Sequence, residues 1–198
     1  MLNIAHRCQS SYVWGPGIKY VVWLQGCSRH CYRCLSPEWQ SLDVNNWIDI
    51  DDLYLDISSQ EKLEGIVLSG GEPLLQYEGL AVLLNRLKLN YDFGVICYTG
   101  YCWSEIKDVQ KYSGLFKNID LMIVGPYIDQ LNSNRGMRGS DNQEFIFLTD
   151  RYLNSQDYYL TCSRNIEIKI GEHDMQFIGI PSKEVTKKII KIDENYEK

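Results

Sequence analysis

Apolar positions fall into short unbroken runs separated by segments with helical spacing. Tyr20–Gln25 is one such run and predicts a buried strand. Gly65–Leu68, Phe93–Tyr98, Leu121–Val124 and Glu144–Leu148 predict four more. Leu80, Leu83, Leu84 and Leu87 stand at i, i+3, i+4 and i+7, the stripe of an amphipathic helix. A second helix is expected near Trp103–Tyr112. Strands alternating with helices imply βαβ units and a mainly parallel sheet. Such strands are buried on both faces and therefore nearly all apolar, as these are.

The pattern changes after Thr149. Ile166, Ile168 and Ile170 alternate with charged residues, and Gly171-Glu172-His173-Asp174 separates them from Met175–Ile180. This predicts a hairpin added to the main sheet. Val185, Ile189 and Ile192 predict a last short helix. No repeat or Pro/Ser-rich linker divides the chain, so a single domain is expected over 1–198, with its core at about 15–150 and the hairpin and helix at 151–198. A complete eight-fold barrel needs ~250 residues. At 198 residues the expected fold class is α/β, an incomplete TIM-like barrel of βα units with the added hairpin and helix.

Charge and composition narrow the chemistry. The net charge is −6 and no block of like charges stands out, which gives no electrostatic footprint for nucleic acid. Tyr20–Leu24, the longest apolar run of the first half, is far below the ~18 residues that suggest a membrane span. The N-terminus has no signal pattern, so a cytoplasmic protein is expected. Three of seven cysteines crowd into Cys27-Ser28-Arg29-His30-Cys31-Tyr32-Arg33-Cys34. In a reducing compartment such crowding points to metal or catalysis rather than to disulfides.

Three thiolates are one short of either common closed site. One reading is zinc, with His30 or a distant cysteine as fourth ligand. Zinc knuckles usually come in pairs, and no second one exists; Cys97 and Cys102 read as a core and a loop cysteine, and Cys8 and Cys162 stand alone. The other reading is a four-iron cubane with one iron open. Ser69-Gly70-Gly71-Glu72-Pro73 follows the second predicted strand. Its glycines allow close backbone approach to a ligand and Glu72 can accept from an ammonium group, although a tight turn has similar composition. The cysteine loop, Ser69–Pro73, Thr99–Tyr101 and Gly125-Pro126-Tyr127 all follow predicted strands. In α/β folds that edge is where ligands bind.

The C-x-x-x-C-x-x-C spacing resembles the signature of the radical S-adenosylmethionine (SAM) superfamily, and Gly70-Gly71-Glu72 resembles its GGE motif. The resemblance implies one 4Fe-4S cluster on Cys27, Cys31 and Cys34, whose open iron binds SAM. It also implies SAM contacts at Gly70, Gly71 and Glu72, with Arg33, Cys34 and Leu35 lining the same cavity. In that superfamily the cluster splits SAM to give a hydrogen-abstracting radical.

Further segments are similar to the activating component of the anaerobic ribonucleotide reductase: Gly15-Pro16-Gly17, Trp23-Leu24-Gln25-Gly26, Tyr98-Thr99-Gly100-Tyr101, Asp120–Tyr127 and Arg138-Gly139-Ser140-Asp141-Asn142-Gln143. Ile178-Gly179-Ile180-Pro181 adds a weaker echo. Each segment taken alone also reads as a turn or a core strand. The family usually has Gly before the third cysteine, where this chain has Arg33. The resemblance implies a glycyl radical enzyme as partner and a flavodoxin- or ferredoxin-type electron donor, with no nucleic acid and no membrane. Two other readings stand beside it. One is a radical SAM enzyme acting on a small molecule or peptide, like the deazaguanine-forming synthase of queuosine biosynthesis, which is expected to have Asp-Thr where this chain has Leu35-Ser36. The other is a non-catalytic iron–sulfur or zinc module, which has no need of an amino-acid-binding loop.

Overall fold

A computed structural model describes residues 1–171 and 175–188. Four strands run parallel: β2 (Lys19–Leu24), β4 (Gly65–Gly70), β5 (Gly94–Thr99) and β6 (Leu121–Val124). Around them lie β1 (Leu2–Ser11), β3 (Trp47–Ile48) and β7 (Glu144–Phe147), giving the order β3-β1-β2-β4-β5-β6-β7. β1 runs antiparallel to β2 and β7 antiparallel to β6. The sheet is open. The α/β class with a mostly parallel central sheet is as expected, whereas no closed barrel is found, because antiparallel strands flank the parallel set on both sides and end its βα progression.

Both faces of the parallel strands are covered, which explains their unbroken apolar runs. Tyr20, Val22, Leu24, Ile66, Leu68, Val95, Cys97, Met122 and Val124 face one cluster, packed under helices α1 (Ile50–Ser58) and α2 (Tyr77–Asn90). All four leucines of the predicted stripe are buried on α2. Val21, Trp23, Val67, Ile96, Leu121 and Ile123 face the second cluster, with Trp14, Met137, Tyr152 and Tyr159. Tyr159 comes from α5 (Gln156–Thr161). The helix expected near Trp103–Tyr112 is broken into α3 (Trp103–Ile106), a 3-10 turn and α4 (Ser113–Phe116).

The C-terminal hairpin is β8 (Ile166–Ile170) with β9 (Met175–Gly179). It forms a separate two-stranded sheet instead of extending the main one. Side chains dock it on β1: the Glu167 carboxylate accepts from Ser11 Oγ at 2.5 Å and Tyr12 N at 3.0 Å, and Lys169 Nζ donates to Ser10 O at 2.6 Å. Residues 183–188, including Val185, are helical. Ile189 and Ile192, like residues 172–174, lie outside the described residues. No helix among the described residues is long and apolar enough to cross a membrane.

Candidate functional site

The site grows from two loops held together by backbone. After β2, Gly26 turns the chain at φ +96, and Cys27 N–H donates to Gln40 O at 3.0 Å, closing the cysteine loop on itself. At the end of β4, Gly71 N–H donates to Leu24 O at 2.7 Å and Glu72 N–H to Gly26 O at 2.8 Å. A Cβ on Gly71 would stand 2.3 Å from Gly26 O, and one on Gly70 2.6 Å from Leu24 N. The glycines are therefore required by the approach of one loop to the other, in addition to lining the cavity.

Glu72 is fully buried, and its carboxylate accepts from Leu74 N at 3.0 Å, Thr99 Oγ1 at 2.8 Å and Gly100 N at 2.8 Å. It clamps the Gly-Gly-Glu loop to the loop after β5. A carboxylate has about four acceptor positions, so one remains for a ligand. Burial pushes its carboxyl above the usual range, opposed by the Leu74 and Gly100 N–H groups and the Thr99 hydroxyl, and by the charge of Arg29.

Cys27, Cys31, Cys34 and Leu35 line one cavity with Gly70, Gly71 and Glu72. Thr99, Gly100, Gly125 and Tyr127 line it too, so all four strand-end loops meet there. The cysteines are free thiols of intermediate exposure. Arg29 N–H donates to Cys27 Sγ at 3.4 Å and Ser36 N–H to Cys34 Sγ at 3.5 Å. Burial raises the Cys27 thiol, and the Arg29 N–H partly opposes it. No three His, Cys, Asp or Glu side chains among the described residues converge on a single ion. Ligands of a four-iron cluster each take a different iron and need not share one point. This soft donor set, with amide donors on two sulfurs, fits an iron–sulfur cluster.

Not every expected residue joins this cavity. Arg33 lines an adjoining cavity of about 1010 Å³, which it shares with Cys34 and Leu35. Its backbone is left-handed, at φ +54, and Nη1 reaches Asp129 Oδ2 at 3.2 Å across the site, which draws the side chain away. His30 is outside the lining of both cavities; its Nδ1 lies 3.4 Å from Gln40 Oε1. Cys97 is a core residue, as expected.

Several lining residues stand outside the site set expected from the sequence. Trp14 and Trp23 meet edge to face, 6.4 Å between centroids, and with Tyr98 form an aromatic wall. Gln143, in the Arg138–Gln143 segment, accepts from Gly139 N at 2.7 Å and donates to Gly125 O at 2.9 Å. That segment is a buttress for the loop after β6. Arg29 also lines the cavity; its position between Cys27 and Cys31 was the available signal.

Residues 13–146 match the family described as a 4Fe-4S single cluster domain. The match covers more than half of the chain, and the chain belongs to this family. It is a member of the radical SAM superfamily, and its cofactors are a 4Fe-4S cluster and SAM. Pyruvate formate-lyase-activating enzymes from Staphylococcus aureus strains USA300 and NCTC 8325 / PS 47 are 30% identical over 121 residues, 56% of this chain and 47% of theirs. The chain spans about half the length of the curated relatives it matches. Among solved structures, QueE from Escherichia coli is 19% identical with a TM-score of 0.38, covering 50% of this chain and 52% of that one.

Proposed function

We propose that this protein is a radical SAM activating enzyme that generates a glycyl radical on a separate partner, such as the anaerobic ribonucleotide reductase. The carrying observation is the convergence of Cys27, Cys31, Cys34 and Gly70-Gly71-Glu72 on one cavity at the parallel strands' carboxyl ends. The similarity to pyruvate formate-lyase-activating enzymes supports the activase class. When bound, the cluster and SAM supply a hydrogen-abstracting radical.

The chain's own residues hold and shield this chemistry. Cys27, Cys31 and Cys34 are the cluster ligands. Gly70, Gly71 and Glu72 cradle SAM, with Glu72 offering its free acceptor position to the ammonium group. Leu35 completes the wall beside Cys34, the third cluster ligand, while Trp14, Trp23 and Tyr98 limit water around it. The inner cavity, about 160 Å³, shares Trp23, Cys34, Leu35, Ser36, Tyr127 and Gly179 with the adjoining one of about 1010 Å³. Ligand pockets commonly span ~300–1,000 Å³, so the outer volume leaves room for a partner's loop beside the cofactor. A flavodoxin- or ferredoxin-type protein is the electron donor in this reading.

The test mixes the anaerobically reconstituted protein, a reductant and SAM with the purified reductase, followed by electron paramagnetic resonance. A glycyl radical doublet on the reductase is expected. SAM cleavage with no partner radical would remove this partner while sparing the superfamily assignment.

A further inference from the structure

The inner cavity holds two opposite charges. Among its described lining residues Arg29 is the one Lys or Arg and Glu72 the one Asp or Glu. They flank the same point. A Cβ placed on Gly100 would lie 3.0 Å from Arg29 Cγ and 3.5 Å from Glu72 Oε2. An α-amino acid head group carries the complementary pair, an ammonium and a carboxylate.

Arg29 is held but not saturated. Its guanidinium lies over the Tyr101 ring, 4.8 Å from the centroid, which fixes the plane of the fork. Nη1 faces Glu105 Oε1 at 3.6 Å, longer than an ordinary hydrogen bond. The side chain is only 26% exposed, and this long pairing with Glu105 engages one of its five N–H donors, leaving the rest of the fork for a ligand. A planar guanidinium presents paired donors that match a carboxylate bidentately.

We propose that Arg29 recognises the carboxylate of the bound amino-acid head group, with Glu72 taking the ammonium. This assignment rests on the SAM-binding reading above. It gives the segment between Cys27 and Cys31 a binding task separate from cluster ligation. Arg33, the other arginine near the cysteines, has a side chain 67% exposed and paired with Asp129.

The test measures binding to the cluster-loaded protein by anaerobic calorimetry, using SAM and its decarboxylated analogue, which keeps the ammonium and lacks the carboxylate. Arg29→Gln should weaken SAM binding by about tenfold or more while leaving affinity for the analogue unchanged. Arg29→Lys should fall between, because an ammonium is a point charge without the fork. Equal iron and sulfide content in wild type and variant shows that the loop is intact. If Arg29→Gln does not assemble a cluster, Arg29→Lys carries the comparison, with a selective loss for SAM expected. Equal loss for both ligands, or no loss for either, would overturn the assignment. Wild-type protein that binds neither ligand would instead overturn the SAM-binding reading on which the assignment depends.

Discussion

At the scale of single residues, backbone proximity explains the motif better than ligand contact alone. Gly71 stands where no side chain fits, since its Cβ would press on Gly26 O at 2.3 Å. Gly71→Ala should therefore lower stability by about 1–3 kcal/mol, as overpacking does. Denaturant unfolding of the apoprotein checks this, and an unchanged midpoint would show that the two loops can separate freely. Arg33 carries a related lesson. The family's usual glycine at this position suits the left-handed backbone seen here, φ +54, and Arg33 adopts it with Asp129 as its anchor. The departure was visible in the sequence. Its geometric meaning was not, because φ is not written in composition.

At the scale of elements, continuous apolar runs made the four parallel strands legible within a residue or two of their observed ends. β1 was missed for a physical reason. Leu2 and Ile4 face the helix-side cluster, yet Cys8, of the same parity, faces the other cluster. The register shift between Ile4 and His6 flips the faces, so no period-2 pattern survives over the whole strand. α1 was also missed, although Ile50, Leu53, Tyr54 and Ile57 carry helical spacing behind an Asp49 cap.

A single carboxylate fastens α1 to this strand pair. Asp56 accepts from Tyr20 Oη at 2.5 Å and Gln9 Nε2 at 2.9 Å, and pairs with Arg7 at 3.0 Å. Asp56→Ala strands the hydroxyl of Tyr20, a residue with no exposure, and should cost about 1–3 kcal/mol. Chemical denaturation reads this cost, and Tyr20→Phe in the same background should recover part of it. No recovery would mean that the hydroxyl was not the stranded group.

At the scale of the whole molecule, the candidate site gathers at one end of the sheet. The carboxyl ends of β2, β4, β5 and β6 hold the cysteines, the Gly-Gly-Glu loop and their supports. This convergence was legible in the sequence because each loop followed a recognisable strand. The adjoining cavity was not, since the hairpin, the cysteine loop and the segment beyond β9 meet only in three dimensions.

Near the start of β2, away from the candidate site, lies a buried lysine. Lys19 is 1% exposed, and burial lowers its ammonium to about pKa 8 against 10.5 when free, with Glu64 opposing. The unfolded chain then holds more protons between pH 8 and 10.5, so stability from this group rises across that window and is lost as pH falls through 8. Wild-type stability relative to Lys19→Met should therefore increase from pH 8 to 10.5. A pH-independent difference would show that Lys19 keeps its free pKa.

The most direct measurement of the central claim is a single anaerobic experiment on the full chain. Reconstituted with iron and sulfide, wild-type protein should carry about one four-iron cluster and, once reduced, cleave SAM to 5′-deoxyadenosine. Cys31→Ala, left with two thiolates, should assemble no stable cluster and cleave nothing. Tight zinc binding without SAM cleavage in the wild type, or a normal cluster in Cys31→Ala, would contradict the account.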